Sequence, residues 1–132
     1  AGGNIHKYSQ SQLSAMTTRT VLASHVETYR AATDAMFDVG FTIEESDRDG
    51  GILTGSRADD RTAERFWVNP YMKDTQYKMT VLVRDINSKE STVRLSMSRN
   101  GEAFVEESVI DEFWRKMKRQ VLLKETIPAP SS

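Results

Sequence analysis

The clearest hydrophobic pattern in the chain is an alternation of apolar and polar residues in its second half. From Tyr77 to Ile86 and again from Thr92 to Arg99, apolar side chains recur at every second position. A period of two places one set of side chains on a covered face of a sheet and leaves the other set in water. These segments predict two antiparallel strands joined at Asn87–Glu90. Phe41–Glu45 and Ile52–Arg57, on either side of Asp- and Gly-rich turn residues, predict an earlier hairpin.

Two other segments have apolar residues at steps of three and four, which predicts amphipathic helices. The first helix is predicted over His25–Val39, with Ser24 as N-cap in a capping box with Glu27 and with Gly40 at its C-terminal end. The second is predicted from about Val109 to Lys124, with Ser108 as N-cap. The predicted inward stripes are Val26, Tyr29, Thr33, Met36 and Phe37 in the first helix and Ile110, Phe113, Trp114, Met117 and Val121 in the second.

The remaining segments complete the predicted organisation of the chain. Residues 1–15 are polar and without period, which favours a flexible leader, and a strand is predicted over Met16–Leu22. Ala58–Thr75 is a long connection, Ala103–Val105 is a possible extension of the sheet, and residues 128–132 form a proline-containing tail. We therefore predict one α+β domain over residues 16–127, in the order β-α-β-β-β-β-α. Two helices cover one face of a mostly antiparallel sheet of about four or five strands in two layers.

Composition excludes several classes of protein. The 132 residues include no cysteine, and 18 basic against 19 acidic side chains give a net charge of −1. Disulfides and cysteine-ligated zinc are therefore excluded, and a general nucleic-acid binder would normally be more basic. No apolar run approaches the roughly 20 residues that span a bilayer. The length suits one domain with a real hydrophobic core.

The polar residues show no pattern typical of a catalytic or metal centre. His6 lies in the predicted leader and His25 in the first turn of a helix, and neither has a partner at a catalytic spacing. The segment Glu45–Ile52 resembles the start of a calcium loop, but Ser56 occupies the position of the closing glutamate. A charged hairpin turn explains this segment better than a calcium-dependent or hydrolytic module does. We predict a protein that is not an enzyme and has no catalytic, cofactor-binding or metal-binding residues.

Two groups of residues are candidates for a partner surface: Phe66, Trp67 and Tyr71 on the long connection, and Arg115, Lys116 and Arg119 on the last helix. Loop aromatics can anchor a partner or fold back to seal the edge of a sheet. The basic group can face an anionic lipid or nucleic acid, or it can be a solvated helix face. Both alternatives stay open at this point.

The segments AMFDVGFTIEESDRDGGILTGSR, KMTVLVRD, VRLSMSR and DEFWRKMKRQVLLKE together resemble a family of uncharacterised bacterial cell-envelope lipoproteins. They are also loosely similar to the helix-grip domains of the BamC-type outer-membrane assembly lipoprotein. The resemblance covers about residues 16–126, and its motifs are patterns of fold. The lipidated cysteine of such proteins is absent from this chain. The residues Ala1–Asn4 resemble the tether that follows that cysteine, so we expect a signal peptide and the cysteine ahead of Ala1.

The resemblance implies a location on the periplasmic side of the envelope. It also implies an outer-membrane lipoprotein, whose domain reaches the membrane only through a lipid tether. With the absence of a reactive cluster, it favours a protein-binding or scaffolding domain with an envelope protein as partner and no nucleic acid. The alternative is a carrier of a lipid or small ligand in a cavity between helix and sheet. Such a cavity would be lined by Met36, Phe37, Met79, Met97, Phe113 and Met117. The sequence leaves the oligomeric state undetermined.

Overall fold

The computed structural model describes residues 4–58 and 75–124, and these form an α+β domain with an antiparallel sheet. The predicted two-layer α+β architecture is confirmed, with more elements than predicted. The helices are α1 (Gln10–Thr17), α2 (His25–Asp38) and α3 (Glu107–Gln120), and Ile5–Lys7 form one 3₁₀ turn. The strands are β1 (Thr18–Val21), β2 (Thr42–Asp47), β3 (Ile52–Ala58), β4 (Gln76–Asn87), β5 (Glu90–Arg99), β6 (Glu102–Ala103) and β7 (Leu123–Lys124).

The sheet has the strand order β2-β3-β4-β5-β1-β7, with β6 paired to the free end of β5. Both predicted hairpins are present, and all the strand pairs are antiparallel. β1 lies between β5 and the short β7, and it pairs with both. The first and last strands of the described residues are therefore neighbours in the sheet.

One face of the sheet is buried beneath the helices. The inward residues of β4 and β5 pair directly across the two strands, Met79 with Met97 and Val81 with Leu95, and all are buried. Side chains of α2 and α3 belong to the same buried cluster. Its largest fully buried members are Phe113, Met36, Leu53, Met79, Ile110 and Met117. The core is thus a single layer between the helices and one sheet face.

The predicted stripe of α2 is wrong at both of its ends. Val26 and Phe37 are exposed, and the buried face is instead centred on the alanines of the helix. At 100° per residue, Val26 and Phe37 lie on the side of the helix opposite Ala35. Small side chains contribute little to a hydrophobic pattern, yet they allow a helix to approach a sheet closely. The predicted Ser24 cap is confirmed, because its hydroxyl accepts a hydrogen bond from the amide of Glu27.

The N-terminal segment differs from the predicted leader, because regular structure already begins before Met16. Ser9 and Gln12 form a capping box at the start of α1, in which each side chain bonds the backbone amide of the other residue. The amide group of Asn4 donates to the carbonyl oxygen of Val105 and accepts from its N–H, both at 2.7 Å. The indole N–H of Trp114 donates to the carbonyl oxygen of Met16 at 2.8 Å. The folded domain therefore includes residues that we predicted to be a tether.

The last helix is shorter than predicted and begins earlier. α3 runs from Glu107 to Gln120, and its N-cap is Glu106 without a side-chain cap, so Ser108 is not the cap. Beyond Val121 the chain is extended, and the amide of Leu22 donates to the carbonyl oxygen of Leu122 at 2.8 Å. This contact leads into the pairing of β7 with β1, which ends the helix. The predicted 128–132 tail lies outside the described residues.

Candidate functional site

Of the two groups predicted as a partner surface, the structure describes the basic residues but not the aromatic ones. Phe66, Trp67 and Tyr71 lie outside the described residues. Arg115 and Arg119 are exposed one turn apart on α3, and Lys116 is half-buried. None of these three cations forms an ion pair within the described part of the chain. The basic group therefore lies on the surface of α3.

Phe37, which was predicted to face inward from the first helix, is a surface residue. Its side chain is 71% exposed, although it follows the buried Met36 directly. It lies beside a groove of about 300 Å³ formed where α2, β2 and the end of α3 meet. We call this the Phe37 groove; its lining residues are Thr33, Asp34, Phe37, Asp38, Ile43 and Gln120. The arrangement combines an exposed aromatic ring with a concave surface next to it.

The charged residues that line the Phe37 groove are acidic, and basic residues of α3 lie beyond its end. Asp34 and Asp38 line its α2 side. Lys116 lies one turn before Gln120 on the same side of α3, so the basic group begins where the groove ends. The groove therefore combines the apolar side chains of Phe37 and Ile43 with carboxylates on its α2 side.

A second, larger groove lies between α2 and the β2–β3 turn and has a volume of about 500 Å³. The hydroxyl of Tyr29 donates to the carbonyl oxygen of Ile52 at 3.0 Å and therefore accepts from the hydroxyl of Ser46 at 2.7 Å. These bonds attach the hairpin to α2. The polar groups at the base of this groove are thus engaged in holding two elements together.

His25 makes a third contact of this kind. Its Nε2 lies 2.7 Å from the carbonyl oxygen of Arg48, and because a carbonyl only accepts, Nε2 carries the proton of this bond. Its Nδ1 lies 3.6 Å from a carboxylate oxygen of Asp85. The imidazole stacks on the ring of Tyr29 with the ring centroids 6.5 Å apart. His25 therefore joins α2 to the β2–β3 turn through Nε2, whereas its buried Nδ1, which faces Asp85, makes no hydrogen bond to the described residues.

The calcium-like segment is a hairpin turn. The carboxylate of Asp47 accepts a hydrogen bond from the amide of Gly50 at 3.0 Å. The described residues contain no group of three or more His, Cys, Asp or Glu side chains close enough to hold a metal ion. The Asp47 carboxylate has the local role that aspartate commonly has in turns.

The residues that we predicted to line a carrier cavity lie in two places. Met36, Met79, Met97, Phe113 and Met117 are buried together in the core, and Phe37 is on the surface. Apart from Phe37, none of them lines either groove described above. The carrier stays a prediction, and no contact of these side chains favours it.

The described residues form a small α+β domain with a helical layer on one face of its sheet. No family model matches the chain, and no curated protein matches it. Among solved structures, the chain is similar to a DUF4468 family protein from Bacteroides ovatus ATCC 8483. The two are 11% identical, the match covers 84% of this chain and 88% of the other, and the TM-score is 0.42. Within the described ranges, every helix is too short or too polar to cross a bilayer.

Proposed function

We propose that this chain is a non-enzymatic protein-binding domain of the bacterial envelope, which docks an envelope protein on the Phe37 groove. The observation that carries the proposal is the exposed Phe37 ring beside a concave surface with a charged rim. The resemblance to envelope lipoproteins supports the periplasmic side of the envelope as its location and a lipid as its tether. A signal peptide ending at a cysteine immediately upstream of Ala1 would support the tether, and its absence would contradict it.

The energetics of Phe37 favour a docked partner. Burying a phenylalanine side chain contributes about 2–3 kcal/mol relative to leaving it exposed. Aromatic anchors that fill or border a groove are among the residues that contribute most to protein–protein affinity. The neighbouring helix residues of both signs give the partner polar contacts at the rim. A single side chain here can thus decide whether a partner remains bound.

Most of the polar groups singled out above have structural partners within the domain. Nε2 of His25 and the hydroxyl of Tyr29 bond the β2–β3 hairpin from α2, and the carboxylate of Asp47 bonds an amide within the turn. Nδ1 of His25 is buried and has no hydrogen-bond partner among the described residues. A general base must reach a substrate proton, and a nucleophile needs an adjacent base. In the described residues these side chains contact backbone groups of their own domain.

The test is quantitative affinity capture from envelope membranes with a Phe37→Ala variant. We expect the amount of at least one captured envelope protein to fall at least about tenfold, because one lost aromatic anchor costs more than 1.4 kcal/mol of binding free energy. Isotope-labelled mass spectrometry measures the ratio of each captured protein between the variant and the unmodified domain.

Ile86→Ala is the matched control, because Ile86 is also an exposed apolar residue, at 51%, but lies at the far end of β4. The same captured protein should be retained by this variant. Equal capture by the unmodified domain and by the Phe37→Ala variant would contradict docking at the Phe37 groove. Substituting both Arg115 and Arg119 with alanine should weaken capture less, and mainly at low salt.

A further inference from the structure

The turn between β5 and β6 consists of Asn100 and Gly101, because Arg99 pairs with Glu102 across it. Both turn residues have a positive φ, +49° at Asn100 and +87° at Gly101. Two-residue hairpin turns with positive φ at both positions favour the sequence Asn-Gly. In the described part of the chain, Asn100 is the one residue other than glycine with a positive φ. The fold thus places an asparagine immediately before a glycine on an exposed turn.

The side chain of Asn100 is exposed and is held through its carbonyl oxygen. Oδ1 accepts a hydrogen bond from the amide of Gln76 at 2.9 Å, and the amide of Asn100 donates to the carbonyl oxygen of Gln76 at the same distance. The side-chain amino group makes no hydrogen bond to the described residues. A donor at Oδ1 favours negative charge that develops on that oxygen when Cγ is attacked.

Gly101 supplies the group that can attack this carbon. Its amide nitrogen has no hydrogen-bond acceptor among the described residues, and a Cβ placed on it would meet nothing within 4 Å. Glycine also has the widest range of backbone angles, so the turn can rotate its nitrogen towards the preceding side chain. No side chain at this position obstructs that approach.

We propose that Asn100 is a site of spontaneous deamidation, at which the chain modifies itself without a cofactor. The amide nitrogen of Gly101 forms a bond to Cγ of Asn100 and loses its proton, and the side-chain amino group leaves as ammonia. Water then opens the resulting cyclic imide, adding its hydroxyl to a carbonyl carbon and a proton to the nitrogen. Opening at the side-chain carbonyl gives aspartate. Opening at the backbone carbonyl gives isoaspartate, whose main chain runs through Cβ and Cγ.

Two of the other asparagines are unsuited to this reaction. Asn69 is followed by Pro70, which has no N–H to lose. Asn4 is followed by Ile5, whose branched Cβ crowds the attacking nitrogen. The side-chain amide of Asn4 is also fixed by two hydrogen bonds to the backbone of Val105, both at 2.7 Å.

The remaining asparagine, Asn87, lies in the turn between β4 and β5 and provides an internal comparison. It is followed by Ser88, and both polar atoms of its side chain are engaged in hydrogen bonds within the turn. Asp49–Gly50 in the β2–β3 turn can close the same kind of ring. That reaction loses water instead of ammonia and regains it on opening, so it leaves the mass of the chain unchanged.

The two products are expected to affect β6 differently. Isoaspartate adds a methylene to the main chain, so the turn no longer has the dihedral angles that hold its strands in register. The pairing that it leads into includes the bond from the amide of Phe104 to the carbonyl oxygen of Met97 at 3.1 Å. Aspartate leaves the main chain unaltered, and its carboxylate can accept from the amide of Gln76 as Oδ1 of Asn100 does.

The test is peptide mapping by mass spectrometry after incubation of the full chain in mildly alkaline buffer. We expect the peptide containing Asn100 to gain the mass difference between a hydroxyl and an amino group, and to become a substrate of isoaspartyl methyltransferase. The peptides containing Asn4 and Asn87 should gain this mass at least about tenfold more slowly. The variant Gly101→Ala should slow the reaction at Asn100 by a similar factor, because its Cβ crowds the nitrogen. Circular dichroism checks that this variant is folded.

Asn100→Asp is the matched control for the effect on β6, because it has the new charge with an unmodified main chain. Hydrogen exchange at the amide of Phe104 should be at least about tenfold faster in the isolated isoaspartate form than in this variant. No mass gain at Asn100, an equal rate at Asn87, or an unchanged rate in the Gly101→Ala variant would overturn the proposed site. Equal exchange in the two forms would overturn its effect on β6.

Discussion

Replacing Phe113 with alanine is expected to lower the free energy of unfolding by about 4 kcal/mol. Phe113 is completely buried, belongs to the core cluster and packs edge-on against Trp114 with the ring centroids 5.4 Å apart. The substitution removes the transfer free energy of the ring and leaves a cavity that the neighbouring helices and strands fill only partly. Urea denaturation followed by far-UV circular dichroism measures the loss, because that signal does not depend on the tryptophan next to the substituted site.

Phe37→Ala is the control for this measurement, and its stability should change by no more than about 0.5 kcal/mol. The two substitutions remove the same ring, one from the core and one from a position that is 71% exposed. A comparable loss in both variants would contradict the orientation of α2. It would also remove the basis for using Phe37→Ala as a folded binding variant.

Replacing Gly51 with alanine is expected to lower the free energy of unfolding by about 3 kcal/mol or more. Gly51 has a φ of +71°, which costs a residue with a Cβ about 1–2 kcal/mol. A Cβ here would also overlap the backbone carbonyl oxygen of Val83 and press against the ring of His25 at 3.1 Å. Since the amide of Val83 donates to the carbonyl oxygen of Gly51 at 2.8 Å, the backbones cannot separate without losing that bond.

Gly101→Ala separates the two causes of this loss. Gly101 has a φ of +87°, but a Cβ there would meet nothing within 4 Å. Its substitution should therefore cost only the conformational part, about 1–2 kcal/mol. Equal losses at Gly51 and Gly101, measured by the same urea titration, would show that the close approach of the β2–β3 turn to β4 is not as described.

The strands and the class of fold were predictable because each strand between residues 76 and 99 has one buried and one solvent-facing side. Because successive side chains of a strand point to opposite faces of the sheet, apolar and polar residues alternate in the sequence of such a strand. The capping serine of α2 was equally visible, since the Ser24 hydroxyl and Glu27 have the spacing of a cap. Local patterns of this kind depend on neighbours in the chain and need no knowledge of the tertiary structure.

The wrong predictions concern features of the helices that depend on tertiary contacts. The buried face of α2 is set by alanines, whose low hydrophobicity hides the face from a pattern of large apolar residues. The capping box of Ser9 and Gln12 starts a helix in a segment whose polar composition resembles a leader. The end of α3 depends on the pairing of Leu123 with Val21, a contact between the two ends of the described chain that no local pattern contains.

The candidate site was predictable only in part for the same reason. The basic residues Arg115 and Arg119 were visible as a charged side of a helix. Phe37 was assigned to the core because it lies four residues after Thr33 in the predicted stripe, and only the rotation of α2 against the sheet exposes it.

Docking of an envelope protein at Phe37 is tested most directly by a photo-crosslinking amino acid placed at that position in living cells. We expect illumination to produce one discrete adduct between the domain and an envelope protein. The same amino acid at Ile86 should not produce that adduct. Absence of any adduct from position 37, or the same adducts from both positions, would contradict the account.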